Sequence, residues 1–337
     1  MCSRVEAQRR ARASEREERR GDVSGLKGVL LMAYGTPEHL SEVEPYYRDI
    51  LGGREPSPEA VATLVERYRA VGGGTPLLEI TRSVADLLEQ RLNRDGGDVS
   101  WRVYVGMKHW HPYIAEAVKS IVADGLDELV ALPLAPHYSR MSTGGYRDAV
   151  KRSMAQASSS QPTWFIESWH ANPQFTALIA QRIRDALVRS NAAPPDVEVL
   201  FTAHSLPARI IDEGDRYPEE LAESAAAVAQ AAGIASWRFA YQSAAKTGTP
   251  WLRPDILESI KQIAREGGKN VLVVPFGFVC DHLEILFDVD ITAKRAAEDL
   301  SVRFSRIEMP NNSPDFVEAL YDIVASGAGA RVVGLSG

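Results

Sequence analysis

The chain has 337 residues, 45% apolar and 25% charged, with a formal net charge of −7; it is long enough for two globular domains and offers no global basic field to nucleic acid or an anionic membrane surface. Its two cysteines, Cys2 and Cys280, exclude a disulfide framework and a four-cysteine zinc or iron–sulfur site within one chain, and fit a reducing cytoplasm. The longest apolar segment, VLVVPFGFV at 271–279, falls far short of a bilayer span and contains a proline.

Residues 1–25, MCSRVEAQRRARASEREERRGDVSG, mix Arg with Glu and hold almost no large apolar side chains, which predicts a disordered or loosely helical arm. They lack the hydrophobic stretch of a secretory signal, and their acidic residues argue against a transit peptide. From Lys27 onward, short apolar runs alternate with longer amphipathic segments. The first predicted strand, GVLLMAY (28–34), ends on Tyr34. The helical pattern SPEAVATLVERYRAV carries Arg67 and Tyr68, and Thr75 follows in GGGTP. The strand WRVYVGM (101–107) runs into the polar loop KHWHP, and ELVALPLAP (128–136) leads on to STGGYRDA with Tyr146. The linker-like SNAAPPD places a domain boundary nearby, dividing an N-terminal α/β domain at 26–180 from a C-terminal one at 181–325, whose last segment can pack back on the first. The second half repeats the alternation with strands VEVLFTA (197–203), WRFAYQS (237–243) and VLVVPFGFV (271–279) around the helical YPEELAESAAAVAQAAG. Continuous apolar strands separated by helices predict parallel sheets covered on both faces.

Two of these strands end alike. GVLLMAYGTP delivers Tyr34 where VEVLFTAHSLP delivers His204. Ligands of open parallel sheets bind beyond the carboxyl ends of the strands, so two facing domains would hold both side chains across one cleft. After the last strong strand, Gly277 is placed to break it and Asp281 to cap a helix, on which Asp281, Glu284 and Asp288 fall on one face at i, i+3 and i+7. Singly, a solvated acidic face and a core histidine explain these residues. Together, imidazole and carboxylate form a borderline donor set for a divalent first-row metal, open and transient with only two protein ligands.

The segments VLLMAYGTP, GGGTPLLEIT, YVGMKH, ALPLAPHYS, FTAHSLP, YQS…PWLRPD and VPFGFVCDHLEILFD together resemble the ferrochelatase family, in that family's order, over roughly residues 27–325. The resemblance implies two Rossmann-like, chelatase-like domains with a porphyrin cleft between them, and insertion of Fe2+ into a porphyrin with release of two protons. It assigns His204, and Glu284 of HLE, to the metal-and-proton site. Tyr34 is similar to the tyrosine of bacterial coproporphyrin III ferrochelatases, which lies over the ring opposite the histidine and can ligate iron; members acting on protoporphyrin usually have methionine there. The implied product is Fe-coproporphyrin, in haem biosynthesis. Four propionates need cationic and hydroxyl donors, and Arg67, Tyr68, Thr75 and Tyr146 match by motif position, Thr75 replacing a frequent serine.

Two departures stand out. Leu51 and Gly52 occupy the place of a common basic pair, which puts one propionate contact in doubt, with Arg54 close enough to substitute. Glu284 and Asp288 are followed by Thr292, so a second, peripheral metal site lacks support. Lys108 and His109 recur in the family near the cleft; His109 is a candidate proton relay but reads first as structural, and His39, His111, His137 and His170 read as structural or surface residues. The resemblance further implies no organic cofactor and no iron–sulfur cluster. Porphyrin and Fe2+ are the expected partners of a cytoplasmic monomer, without nucleic acid or stable membrane insertion, and with transient contacts to neighbouring haem-pathway enzymes. The rival readings are a protoporphyrin IX ferrochelatase, another ATP-independent tetrapyrrole chelatase of the cobalt or sirohydrochlorin type, and a two-lobed solute-binding module. A nucleotide-dependent enzyme is disfavoured because GxxxxGK[ST] is absent.

Overall fold

Nine strands form two sheets in the computed structural model, which describes residues 25–94, 98–190, 196–245 and 248–335. The predicted arm at 1–25 thus lies outside the described residues apart from Gly25. In the first half, β1 (Gly25–Ala33), β2 (Val99–Met107), β3 (Glu128–Pro133) and β4 (Thr163–Ser168) pair in parallel, in the order β2-β1-β3-β4. In the second half, β5 (Glu198–His204), β6 (Trp237–Gln242), β7 (Asn270–Val274) and β8 (Arg303–Arg306) do the same, in the order β6-β5-β7-β8. A final strand, β9 (Arg331–Gly334), returns to the first sheet and pairs antiparallel with β4.

Helices join the parallel strands, as such pairing requires. In the first half these are α1 (Val43–Ile50), α2 (Pro58–Ala70), α3 (Leu77–Leu92), α4 (Ile114–Asp124), α5 (Thr143–Gln156) and α6 (Pro173–Arg189). The second half adds α7 (Tyr217–Ala232), α8 (Ile256–Arg265), a π-helix at Glu284–Ala293, α9 (Lys294–Asp299) and α10 (Pro314–Ser326). Helix α6 packs on α7 and α10, and α10 also packs on α3, so helices of both halves share one interface. One apolar cluster runs through it, from Val29 and Leu132 past Trp169, Phe175 and Phe316 to Phe201 and Phe276. Among the described residues no helix is long and apolar enough to cross a membrane.

The six predicted strands are present, with shifted ends, and three more appear. The run VLVVPFGFV is strand only as far as Val274, because Pro275 has no N–H to donate. Two residues later the chain passes so close to β5 that a Cβ on Gly277 would lie 2.5 Å from Ala203 Cβ. The additional strands β4, β8 and β9 are short, and β8 and β9 carry charged residues at sheet edges, where alternation is a weak signal.

Candidate active site

His204 is the last residue of β5, opposite Gln242 in the parallel register with β6. Its place is set by buried polar contacts. Thr202 Oγ1 donates to Gln242 Oε1 at 2.8 Å, Gln242 Nε2 donates to the carbonyl of Glu284 at 3.2 Å, and the Tyr217 hydroxyl donates to the carbonyl of His204 at 2.9 Å. The fully buried Gln242 thereby ties the end of β5 to the first turn of the π-helix. His204 Nδ1 is hydrogen-bonded to the Ser205 carbonyl. A carbonyl only accepts, so Nδ1 carries a proton and Nε2 is the working nitrogen.

Nε2 faces Glu284 Oε1 at 3.3 Å, and the other carboxylate oxygen lies 3.7 Å from His282 Nε2. The His282 ring is itself oriented by an Nδ1–H bond to the Cys280 carbonyl at 2.9 Å. Burial disfavours charge on His204, but the Glu284 carboxylate outweighs it and holds the imidazole pKa above its ordinary value. Burial likewise opposes charge on Glu284, and the two imidazoles outweigh it, keeping its carboxyl well below the usual range. His282 and Gln242 sit inside recognised segments, HLE and YQS, yet sequence reasoning assigned neither a role. Gln242 has its partners some forty residues away in the chain, whereas His282 stands two residues from Glu284, so the HLE spacing itself carried its signal.

The acidic segment differs from expectation. Asp281 does not cap the helix and does not share the Glu284 face. It precedes the helix and accepts from Arg306 Nη2 and Asn311 Nδ2, both at 2.8 Å, while Arg306 also forks onto Asp290 at 2.7 and 2.9 Å. The physical reason is where the helix begins: Asp281 stands before its first turn, held by Arg306 and Asn311, whereas Glu284 and Asp288 lie inside it, four residues and nearly one turn apart. Glu284 and Asp288 are therefore neighbours. Asp288 accepts from Ser243 Oγ and from Arg67 Nη2, each at 2.5 Å. Among the described residues no cluster of three or more His, Cys, Asp or Glu could hold a metal ion, and Thr292 supplies no further carboxylate.

The first half contributes the facing side chains. Tyr34 follows β1 and keeps 43% of its surface open. Arg67 reaches across to Asp288 and stacks over Phe287 at 5.0 Å, with its Nε buried and unpartnered. Tyr68 is buried, its hydroxyl 3.2 Å from Thr36 Oγ1, which in turn lies 2.9 Å from Thr75 Oγ1. Tyr146 is also buried, with Lys108 Nζ 5.3 Å over its ring. Burial is the main force raising the phenols of Tyr34, Tyr68 and Tyr146, Tyr68 to about 12, and the Glu284 charge adds to each. All three thus sense one carboxylate delivered by the other half. Leu51 and Gly52 lie in a turn, where exposed Arg54 donates to the Leu51 carbonyl at 3.1 Å.

The two halves meet here through the segment before the π-helix. Cys280 packs with Ala33, Leu77 and Met107, and Leu283 with Tyr46 and Tyr68. The remaining histidines lie elsewhere. His111 bonds Glu116 at 3.0 Å, His170 sits between Glu220 at 3.3 Å and Glu223 at 3.2 Å, and His137 is buried, its pKa pushed down to about 3 by desolvation. His39 precedes a short 3-10 turn at Leu40–Glu42.

Comparison with known proteins gives the family. The ferrochelatase family model matches residues 26–328. A ferrochelatase of Herpetosiphon aurantiacus is 49% identical over 303 residues, covering 90% of this chain and 99% of that protein. Coproporphyrin III ferrochelatases of Anoxybacillus flavithermus and Bacillus subtilis are 40% and 38% identical, covering 89% and 88% of this chain and 95% and 96% of theirs. Among solved structures, SirB from Bacillus subtilis with Fe3+ superposes with a TM-score of 0.54 at 9% identity, covering 90% of this chain and 95% of its own. CbiX, described as the terminal enzyme of sirohaem biosynthesis in denitrifying bacteria, gives 0.50 at 16%, covering 89% and 98%. At such low identity these two establish the chelatase fold alone.

Proposed function

This chain belongs to the ferrochelatase family and is an enzyme of that class, and we propose that it inserts Fe2+ into coproporphyrin III at the seam where His204 and Glu284 meet Tyr34. The observation that carries the reading is the 3.3 Å pair between His204 Nε2 and Glu284, brought together from the end of β5 and the first turn of the π-helix.

The chemistry follows from the donor set. Metal insertion requires two pyrrole N–H protons to leave while Fe2+ approaches the same nitrogens. His204, fixed by its Nδ1–H bond, presents Nε2 as proton acceptor when neutral. Glu284 stabilises the imidazolium that forms, and its second oxygen points to His282, so an accepted proton has a path away from the ring. Imidazole nitrogen and carboxylate oxygen also suit Fe2+ as a transiently held substrate. Tyr34, from the other half, supplies an oxygen ligand for iron in the product. Arg67, Tyr68, Thr75 and Tyr146 are the proposed propionate donors; Arg67 must exchange its 2.5 Å contact with Asp288 for a propionate to do so. In this reading the enzyme is a cytoplasmic monomer that needs no organic cofactor or iron–sulfur cluster.

Support for coproporphyrin comes from Tyr34 and from relatives named coproporphyrin III ferrochelatases. Anaerobic Fe2+ insertion, followed by absorbance with coproporphyrin III and protoporphyrin IX side by side, tests it. The expected result is a strong preference for coproporphyrin III. Equal or reversed preference keeps the chelatase and discards the substrate; insertion into neither discards both.

A further inference from the structure

One polar cluster takes no part in the proton chemistry above. Asp49, in the last turn of α1, lies 2.9 Å from His109 Nδ1 and accepts from the Tyr113 hydroxyl at 3.4 Å. An ionised carboxylate only accepts, so His109 carries its proton on Nδ1 and the ring is locked toward Asp49. That ring, only 17% exposed in its side chain, packs on Tyr34 with centroids 4.6 Å apart and planes at 53°.

The backbone beneath is tied in the same place. His109 N–H donates to the Tyr34 carbonyl and Lys108 N–H to the Ala33 carbonyl, both at 2.9 Å, and the Tyr46 hydroxyl donates to the Gly35 carbonyl at 3.0 Å. Gly35, at φ +102°, lets the Trp110 backbone come so near that a Cβ would meet its nitrogen at 2.9 Å. The loops after β1 and β2 are thus fixed to each other. Among the described residues the Tyr34 hydroxyl has no hydrogen-bond partner, so nothing at its tip aims it. The ring packed behind it is that of His109, and Asp49 is bonded to that ring.

We propose that Asp49 is a positioning residue that acts through His109 to hold the Tyr34 phenol where the inserted iron takes its oxygen ligand. The proposal rests on the reading of Tyr34 as that ligand. It differs from a proton relay through His109, since it requires no change in the protonation of that ring.

The test uses the full chain loaded with ferric coproporphyrin III, the tyrosinate-to-iron charge-transfer band being defined by its loss in Tyr34→Phe. Steady-state Fe2+ insertion and thermal melts are followed alongside. In Asp49→Ala the band falls below about half, and kcat drops about tenfold while KM for coproporphyrin III stays within about twofold. His109→Ala behaves alike, and the double variant is no worse than either single one. Asp49→Asn, which keeps an acceptor oxygen for Nδ1–H, restores both readouts. A native band and kcat in folded Asp49→Ala overturns the inference, as does equal damage in Asp49→Asn. Absence of any Tyr34-dependent band in an active wild type overturns the ligand reading and this inference with it. Wild-type inactivity would strike the function itself.

Discussion

At the scale of single residues, the chemistry depends on one imidazole whose two nitrogens have different duties. Nδ1 is committed to the Ser205 carbonyl, so Nε2 has to do the work. His204→Ala should lower insertion by about 10²–10⁴-fold while leaving porphyrin binding largely intact, because the cleft wall and rim supply most of the affinity. Parallel loss of binding and turnover, measured by fluorescence quenching and absorbance, would make His204 structural instead. The charge of Glu284 gives a second expectation. It holds the His204 pKa above the ordinary histidine value, so the ring should stay protonated further into neutral pH than a free histidine. In Glu284→Gln that support goes and desolvation remains, so the His204 pKa should move downward. Imidazole resonances followed by NMR against pH read this directly, and an upward or absent shift refutes the pairing.

At the scale of elements, the site depends on how the chain leaves β7 and enters the π-helix. Gly277 lets the turn cross β5, with Ala203 Cα only 2.9 Å from where a Cβ would sit. Arg306 then clamps both Asp281 and Asp290, on either side of Glu284. Since the nearest atoms to the missing Cβ belong to a buried strand, Gly277→Ala cannot be relieved by a flexible side chain. It should cost about 1–3 kcal/mol, read as a lower melting temperature, and should misplace Glu284 enough to depress insertion. A variant of native stability and activity would show that the turn can shift. The late start of the helix also explains why helical spacing misled: at 3.6 residues per turn Asp281 would share a face with Glu284, but the segment carrying Asp281 is not helical, so of the two expected neighbours only Asp288 remains on that face.

For the molecule as a whole, the two halves are joined by buried charge as well as by the shared apolar core. Glu220 of α7 is fully buried and accepts from the Tyr138 amide at 2.7 Å and the Ser168 hydroxyl at 2.7 Å, both from the first half, and from Arg331 Nη1 at 2.8 Å on β9, the strand that returns to the first sheet. Burial opposes its charge, but these hydrogen bonds, with that of His170, prevail and bring its pKa down to about 2. A folded pKa below the unfolded one stabilises the protein above the unfolded value, near 4.3, and that contribution is lost as pH falls toward about 2. Glu220→Gln should therefore destabilise the protein by about 3 kcal/mol at neutral pH and flatten the acid side of its stability curve, as read by denaturant melts at several pH values. Unchanged melts would show that Glu220 is replaceable. Such long-range pairing is what no local pattern reports. The apolar runs by themselves determined the alternating strands and helices, because hydrophobic periodicity is a local property, and motif order pointed to the family and to Tyr34, His204 and Glu284. Only the tertiary structure decided that Gln242 ties the end of β5 to Glu284, that Asp281 turns away to Arg306, that Arg67 crosses to Asp288, and that Asp49 stands behind His109. Each of these is a contact between segments tens to hundreds of residues apart, set by how two sheets and a π-helix pack, and a carboxylate's partner is chosen by that packing and not by its neighbours in the chain.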